Sequence, residues 1–241
     1  MAFVNAVLLG YRKYGVDASG ALHKAQIAPA LLHDPDACVT ASQFEALCHA
    51  AMQELDDEAL GWFSRRLPWG SYGLLCRASL TSSNLGVALN RWCRHHRLLT
   101  GDIVLALNVD NDMATLQIDE TRQLGAMREF CLVTSMRYLH GYACWLVDSR
   151  VPLNGVDFPF EQPPHGSVHA LLFPGPVQFA QGCARMRFEA KYLTLPPRRD
   201  EHALRSMLQH ALPLTVRQYH RDRLLASRAR ALITARPGEQ H

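Results

Sequence analysis

Residues Ala126–Val147 constrain this chain more than any other segment. Phe130, Leu132, Val133, Met136, Leu139, Tyr142, Trp145 and Leu146 are spread around a helical wheel and do not gather into one stripe. A helix that is apolar nearly all round has to be buried on several sides. The run is interrupted by Arg128, Glu129, Arg137 and His140, so it does not read as a membrane span. The remaining elements must therefore enclose it. With 241 residues, 48% hydrophobic and 20% charged, the chain has enough material for such a core and is not of disordered composition.

The N-terminal third reads as short helices. One spans residues 2–14 and another 18–25, with a turn after Ile27-Ala28-Pro29. A better-signalled helix follows. Thr40 with Gln43, or Ser42 with Glu45, fits a capping box, and Phe44, Leu47, Cys48, Ala51 and Leu55 recur at helical spacing. Asp56-Asp57-Glu58 is read as opening a further helical turn that carries Leu60 and Phe63. Such a series invites comparison with a DNA-reading helix-turn-helix, but charge argues against it. Residues 1–60 hold three basic and eight acidic side chains, and DNA readers need a basic face to displace phosphate counterions.

From Pro68 the pattern changes. Ser71–Ala78 reads as a strand and Leu85–Thr100 as an amphipathic helix. Ile103–Asn108 and Met113–Asp119 form a hairpin. After the long apolar helix, Gly155–Phe160 is read as a strand, Pro163–Leu172 as a turn plus short helix, and Val177–Ala180 with Ala184–Ala190 as a second strand pair. The expected class is α+β. A helical subdomain (1–66) precedes two strand–helix–strand–strand units that form a mainly antiparallel sheet (67–197). Linker helices (198–241) end the chain, with Asp200–Ala211 amphipathic and 215–234 basic. A cupin-like β-barrel is the alternative, disfavoured by the helix count. The net charge of +3 is concentrated in residues 198–241, which sum to +5.

Familiar catalytic signatures are absent: there is no G-x-G-x-x-G, Walker loop, H-E-x-x-H or G-x-S-x-G. The seven cysteines are scattered without a C-x-x-C, so they read as reduced thiols. His165 and His169 stand at i, i+4 without an evident third ligand, and Cys93 with His96 lacks an orienting group. Neither pair supports a metal or catalytic assignment, and no cofactor is expected. A stronger constellation is aromatic. Tyr72, Trp92, Tyr138 and Trp145, with Arg77 and His96 on the same elements, have the composition of a small-molecule pocket: an apolar wall with a few polar groups. These six are the candidate ligand-binding residues. Trp69 and Tyr142 belong to the same aromatic set.

Several stretches resemble the N-terminal regulatory domain of AraC-family transcription regulators of the ornithine- and virulence-regulator type. They are Gly15-Val16-Asp17, Ile27-Ala28-Pro29, Leu32-x-Asp34-Pro35, Phe44…Leu60-Gly61 and Gly73-Leu74-Leu75-Cys76-Arg77-Ala78. Toward the end come Pro197-Arg198-x-Asp200-Glu201 and Tyr219-His220-Arg221-Asp222-Arg223-x-Leu225. The resemblance implies a cytoplasmic sensor that binds a small-molecule effector and forms a homodimer. It also implies that DNA is reached only through a C-terminal pair of helix-turn-helix motifs, which nothing after Ala235 supplies. No family ligand residues carry over. The alternatives are a protein-interaction module and, behind it, a small-molecule enzyme. The N-terminus has neither the basic region nor the cleavage site of a signal peptide, and no membrane association is expected.

Overall fold

The computed structural model describes residues 1–34, 37–210 and 219–225. Its first elements follow the sequence pattern: α1 (Ala2–Tyr14), α2 (Ser19–Lys24), a 3-10 turn at Pro29–His33 and α3 (Ala41–Glu54). The α3 cap is Thr40 with Gln43. The Gln43 amide donates to Thr40 Oγ1 at 3.2 Å, and the Thr40 amide donates back to Gln43 Oε1 at 3.0 Å.

The helical turn expected at Asp56–Phe63 does not form. Instead the chain loops around the fully buried carboxylate of Asp57. That carboxylate accepts from the amides of Ala59 (3.0 Å), Gly61 (2.7 Å) and Leu67 (2.9 Å) and from the Tyr14 hydroxyl (2.7 Å). Charge-assisted bonds to amides up to ten residues ahead and to Tyr14 of α1 outweigh the local helical preference.

The predicted strand at Ser71–Ala78 is a helix, α4 (Ser71–Leu80). Its cap comes from outside the segment. Gly70 occupies the left-handed region (φ 98°) and offers no side chain. Glu58 takes that place, with Oε1 accepting from the Gly70 amide and Oε2 from the Tyr72 amide, both at 2.6 Å. The first expected unit thus opens with a helix, followed by α5 (Leu85–Leu99), which Asn84 caps.

Five strands make one sheet: β1 (Ile103–Asp110), β2 (Met113–Glu120), β3 (Gly155–Asp157), β4 (Val177–Gln178) and β5 (Ala184–Glu189). Their order is β1-β2-β5-β3-β4, antiparallel except for β3 with β4. The sheet is open, with β1 and β4 at its edges, so it is not a barrel. The last two strands are shorter or differently paired than expected. β4 and β5 are not partners, because β3 lies between them. A parallel pair needs a crossover, and α7 (Ser167–Leu172) supplies it between β3 and β4. Asp157 of β3 holds β5 alongside: its carboxylate takes Arg185 Nε and Arg187 Nη1, each at 2.6 Å.

Alternation sets the sheet's inner face: Ile103 and Leu105, then Ala114, Leu116 and Ile118, then Ala184, Met186 and Phe188 are buried. α6 (Arg128–Leu146) packs against β5 and α5. Fourteen of its nineteen residues are buried, as its all-round apolar character requires. α8 (Glu201–Gln209), capped by Asp200, packs on α4. Of the expected basic helix at 215–234, residues 219–224 are irregular chain, and 215–218 and 226–234 lie outside the described residues. Segment 219–225 docks on the C-terminal end of α6. There Asp148 binds Arg199 Nη2 (2.6 Å), Arg221 Nη1 (2.9 Å) and the Tyr219 hydroxyl, and Tyr192 donates to Asp222.

Candidate effector cavity

A cavity of about 260 Å³ lies between α3, the loop around Asp57, α4, α5, α6 and the end of α8. Its depth and its rim differ in chemistry. Trp62, Phe63, Leu75, Trp92, Leu99 and Leu105 form a buried wall with His96. Half-buried or exposed Glu45, His49, Trp69, Arg77, Leu208 and Gln209 ring the opening. Tyr72 and Tyr138 stand between, their rings 5.0 Å apart, and Tyr72 meets Trp92 at 5.6 Å.

Five of the six candidate residues line this one cavity: Tyr72, Arg77, Trp92, His96 and Tyr138. They reach it from α4, α5 and α6. Trp145 lies elsewhere. Its ring sits 5.8 Å from Tyr142 and under the Arg199 guanidinium at 5.7 Å, beside the docked 219–225 segment. Tyr142 donates to the Cys76 carbonyl at 2.8 Å and is plain core. Arg77 is engaged at the rim, where its Nε lies 3.1 Å from Glu201 Oε1 of α8.

Sequence reasoning missed Trp62, Glu58, Ser135 and the α8 residues Leu208 and Gln209. Trp62 was discoverable as one more tryptophan near the aromatic set. Nothing local announces that α8 closes the opening.

Two residues that line the cavity, Trp62 and His96, each carry a buried side-chain atom without a hydrogen-bond partner, Nε1 and Nδ1, while the Tyr72 hydroxyl has the Cys76 thiol beside it. Among the described residues Arg150 Nε shares that condition, while the buried His169 Nε2 has the Glu129 carboxylate 3.4 Å away. Buried polar groups are normally satisfied, so their gathering around one cavity marks it out. Burial holds His96 neutral, with its pKa pushed down to about 4. Burial also pushes the Glu58 carboxyl up, against the backbone amides that bind it.

The weaker sequence pairs resolve differently. Burial pushes the Cys93 thiol up to about 12, so no thiolate is available at neutral pH, and the partnerless Nδ1 of His96 makes no bond to it. His165 Nε2 meets Glu129 Oε1 at 2.6 Å, and His169 Nε2 lies 3.4 Å from the same oxygen. Among the described residues no group of three or more His, Cys, Asp or Glu side chains is arranged to hold a metal ion. No described helix is long and apolar enough to cross a membrane.

Comparison with known proteins gives the family of the chain. The chain is 28% identical over 240 residues to the ornithine utilization regulator of Pseudomonas aeruginosa, covering 99% of this chain and 71% of that protein. The crystal structure of the transcriptional regulator CdpR from Pseudomonas aeruginosa aligns at a TM-score of 0.46 and 15% identity, over 85% of this chain; the chain spans 60% of that one. Residues 15–197, about three quarters of the sequence, match the model of the arabinose-binding N-terminal domain of AraC transcription regulators. The chain belongs to that family of regulatory domains.

Proposed function

We propose that the 260 Å³ cavity is the effector site of this regulatory domain, and that α8 carries its occupancy onward. The observation that supports this is the position of α8. Leu208 and Gln209 line the cavity, and Glu201 of the same helix binds Arg77 on its rim. A guest in the cavity touches the element that leads out of the domain. A ligand that favours one placement of α8 shifts the population toward it.

In this reading Tyr72, Trp92 and Tyr138 supply ring contacts, while Arg77 and His96 supply polar ones. Residues 1–66 and 67–197 build the sensor, and 198–241 link it to a DNA-binding part of the whole regulator. The domain binds and does not convert its effector. It works in the cytoplasm as a homodimer, since readers of paired DNA half-sites act in twos.

The test is a thermal-shift screen of the chain against a metabolite library, repeated on Ser135→Phe, which fills the cavity from α6. Compounds that raise the wild-type melting temperature and leave the variant unmoved are expected. If every hit stabilises both proteins equally, the cavity is not the effector site. For self-association, sedimentation at tens of micromolar is expected to give a dimer; a monomer there rejects that part.

A further inference from the structure

The cavity's own unpaired atoms restrict what fits it. An indole N–H is a donor only, so Trp62 Nε1 can be satisfied by nothing but an acceptor. His96 Nδ1 is likewise unpaired. Both side chains are more than nine-tenths buried, at 8% and 7% exposure, and both line the cavity. No charged side chain belongs to the buried wall around them. The carboxylates Glu45 and Glu58 and the Glu201-bound Arg77 are all half-buried or exposed. A cation pushed in beside Trp62 and His96 would meet no counter-ion in that wall, and an anion would meet one only by protonating His96 against its burial, so either carries a desolvation cost. An uncharged oxygen there would answer the orphaned donor.

Size narrows the class further. An engineered cavity of about 150 Å³ in another protein holds benzene. A volume of about 260 Å³ therefore accommodates one ring with small substituents. Tyr72, Trp92 and Tyr138 provide ring faces and edges on which such a body packs.

We infer that the effector is a compact ring-bearing molecule that enters oxygen first, with an uncharged hydroxyl or carbonyl oxygen accepting from Trp62 Nε1 and a polar group facing His96. This rests on the cavity being the effector site. The rim carboxylates and Arg77 are where any charge on the ligand's outer end would lie.

Calorimetric titration of the full chain with four matched probes tests the inference: 4-ethylphenol, 4-ethyltoluene, 4-methylbenzylammonium and 4-methylbenzoate. The phenol is expected to bind at least about tenfold more tightly than the hydrocarbon, the worth of one good hydrogen bond. Both ions are expected to bind more weakly than the phenol. Trp62→Phe keeps a ring and removes the N–H, and should erase most of the phenol's advantage while leaving 4-ethyltoluene unchanged. The ratio of phenol to hydrocarbon in the wild type stands even if that variant folds poorly. Equal binding of phenol and hydrocarbon, or tighter binding of either ion, overturns the ligand class while leaving the site. If none of the four binds, or if Ser135→Phe binds them as well as wild type does, the effector-site reading itself fails.

Discussion

Leu208 of α8 packs directly on Gly73 of α4: a Cβ at Gly73 would stand 3.2 Å from Leu208 Cδ1 and 3.3 Å from Arg77 Nη1. Gly73 thus sets how closely α8 approaches the cavity. Gly73→Ala gains about 1 kcal/mol of helix propensity and asks only the flexible ends of Leu208 and Arg77 to yield. Its unfolding free energy should lie within about 1 kcal/mol of wild type. Gly73→Leu cannot be accommodated under α8 in the same way. Hydrogen exchange over 201–209 should accelerate in that variant while α3 and α5 keep their protection. Unchanged exchange in Gly73→Leu would show that α8 is not held by this contact.

Asp57 organises the loop that carries Trp62 and Phe63. Removing its carboxylate leaves buried amides at Ala59, Gly61 and Leu67 without acceptors. Asp57→Ala should cost at least about 3 kcal/mol in urea unfolding, since bonds to charged groups contribute about 1.5–3 kcal/mol each. Asp57→Asn retains part of the network and should fall between that variant and wild type. A cost under about 1 kcal/mol for Asp57→Ala would show that the loop is held by its apolar contacts instead.

Two buried histidines predict a fall in stability on mild acidification. Burial depresses His96 to about 4; burial and then the nearby Arg137 depress His140 to about 3. In the unfolded chain both titrate near about 6.5. The unfolded state therefore takes up protons first, and stability that is complete above about pH 6.5 is lost as the pH falls toward 4. The slope is up to about 1.4 kcal/mol per pH unit for each histidine. Melting curves from pH 7.5 to 4.5 check this, and His96→Leu should flatten the slope. An identical slope in that variant would assign the effect elsewhere.

A third acid-sensitive group sits in the sheet. Burial opposes ionisation of Asp157, but Arg187 and Arg185 outweigh it and hold the carboxyl below its ordinary range. Its contribution is present above about pH 4 and is lost as the pH falls through the lowered folded-state value. Asp157→Asn should be destabilised by at least about 2 kcal/mol at pH 7. It should also lack the steepest part of the wild-type acid transition below pH 4. Equal acid midpoints for the two proteins would remove Asp157 from that transition.

What the sequence made legible divides along physical lines. α3 and α5 carry their caps beside them, in Thr40, Gln43 and Asn84, and both were readable in place. α6 was readable because an all-round apolar helix has only one kind of surroundings. α4 was misread because its cap, Glu58, stands twelve residues before Gly70, and a local pattern cannot register a donated carboxylate. β4 and β5 were misread as partners because they are neighbours in sequence. What separates them is β3, held to β5 by Asp157 with Arg185 and Arg187, a placement visible only in three dimensions. For the cavity, ring chemistry pointed to Tyr72, Trp92 and Tyr138. Trp145 has the same chemistry and a different neighbourhood, under Arg199, and composition does not distinguish the two.

Beside the cavity between α3, α4, α5, α6 and α8 lies a second apolar hollow of about 300 Å³, bounded by Phe3, Phe44, Phe130 and Leu172 among others. Cys48, Met52, Trp62 and Tyr138 line both. The partition between the two is therefore made of side chains, with no strand or helix backbone needing to move for it to thin or open. Methionine is the most adaptable of these four. On the proposed reading, a smaller residue at Met52 thins that partition while the caps, ladders and ion pairs of the scaffold stay in place. On that reading, what the cavity admits is tuned at one interior wall of four side chains, by point substitution and without remodelling the fold.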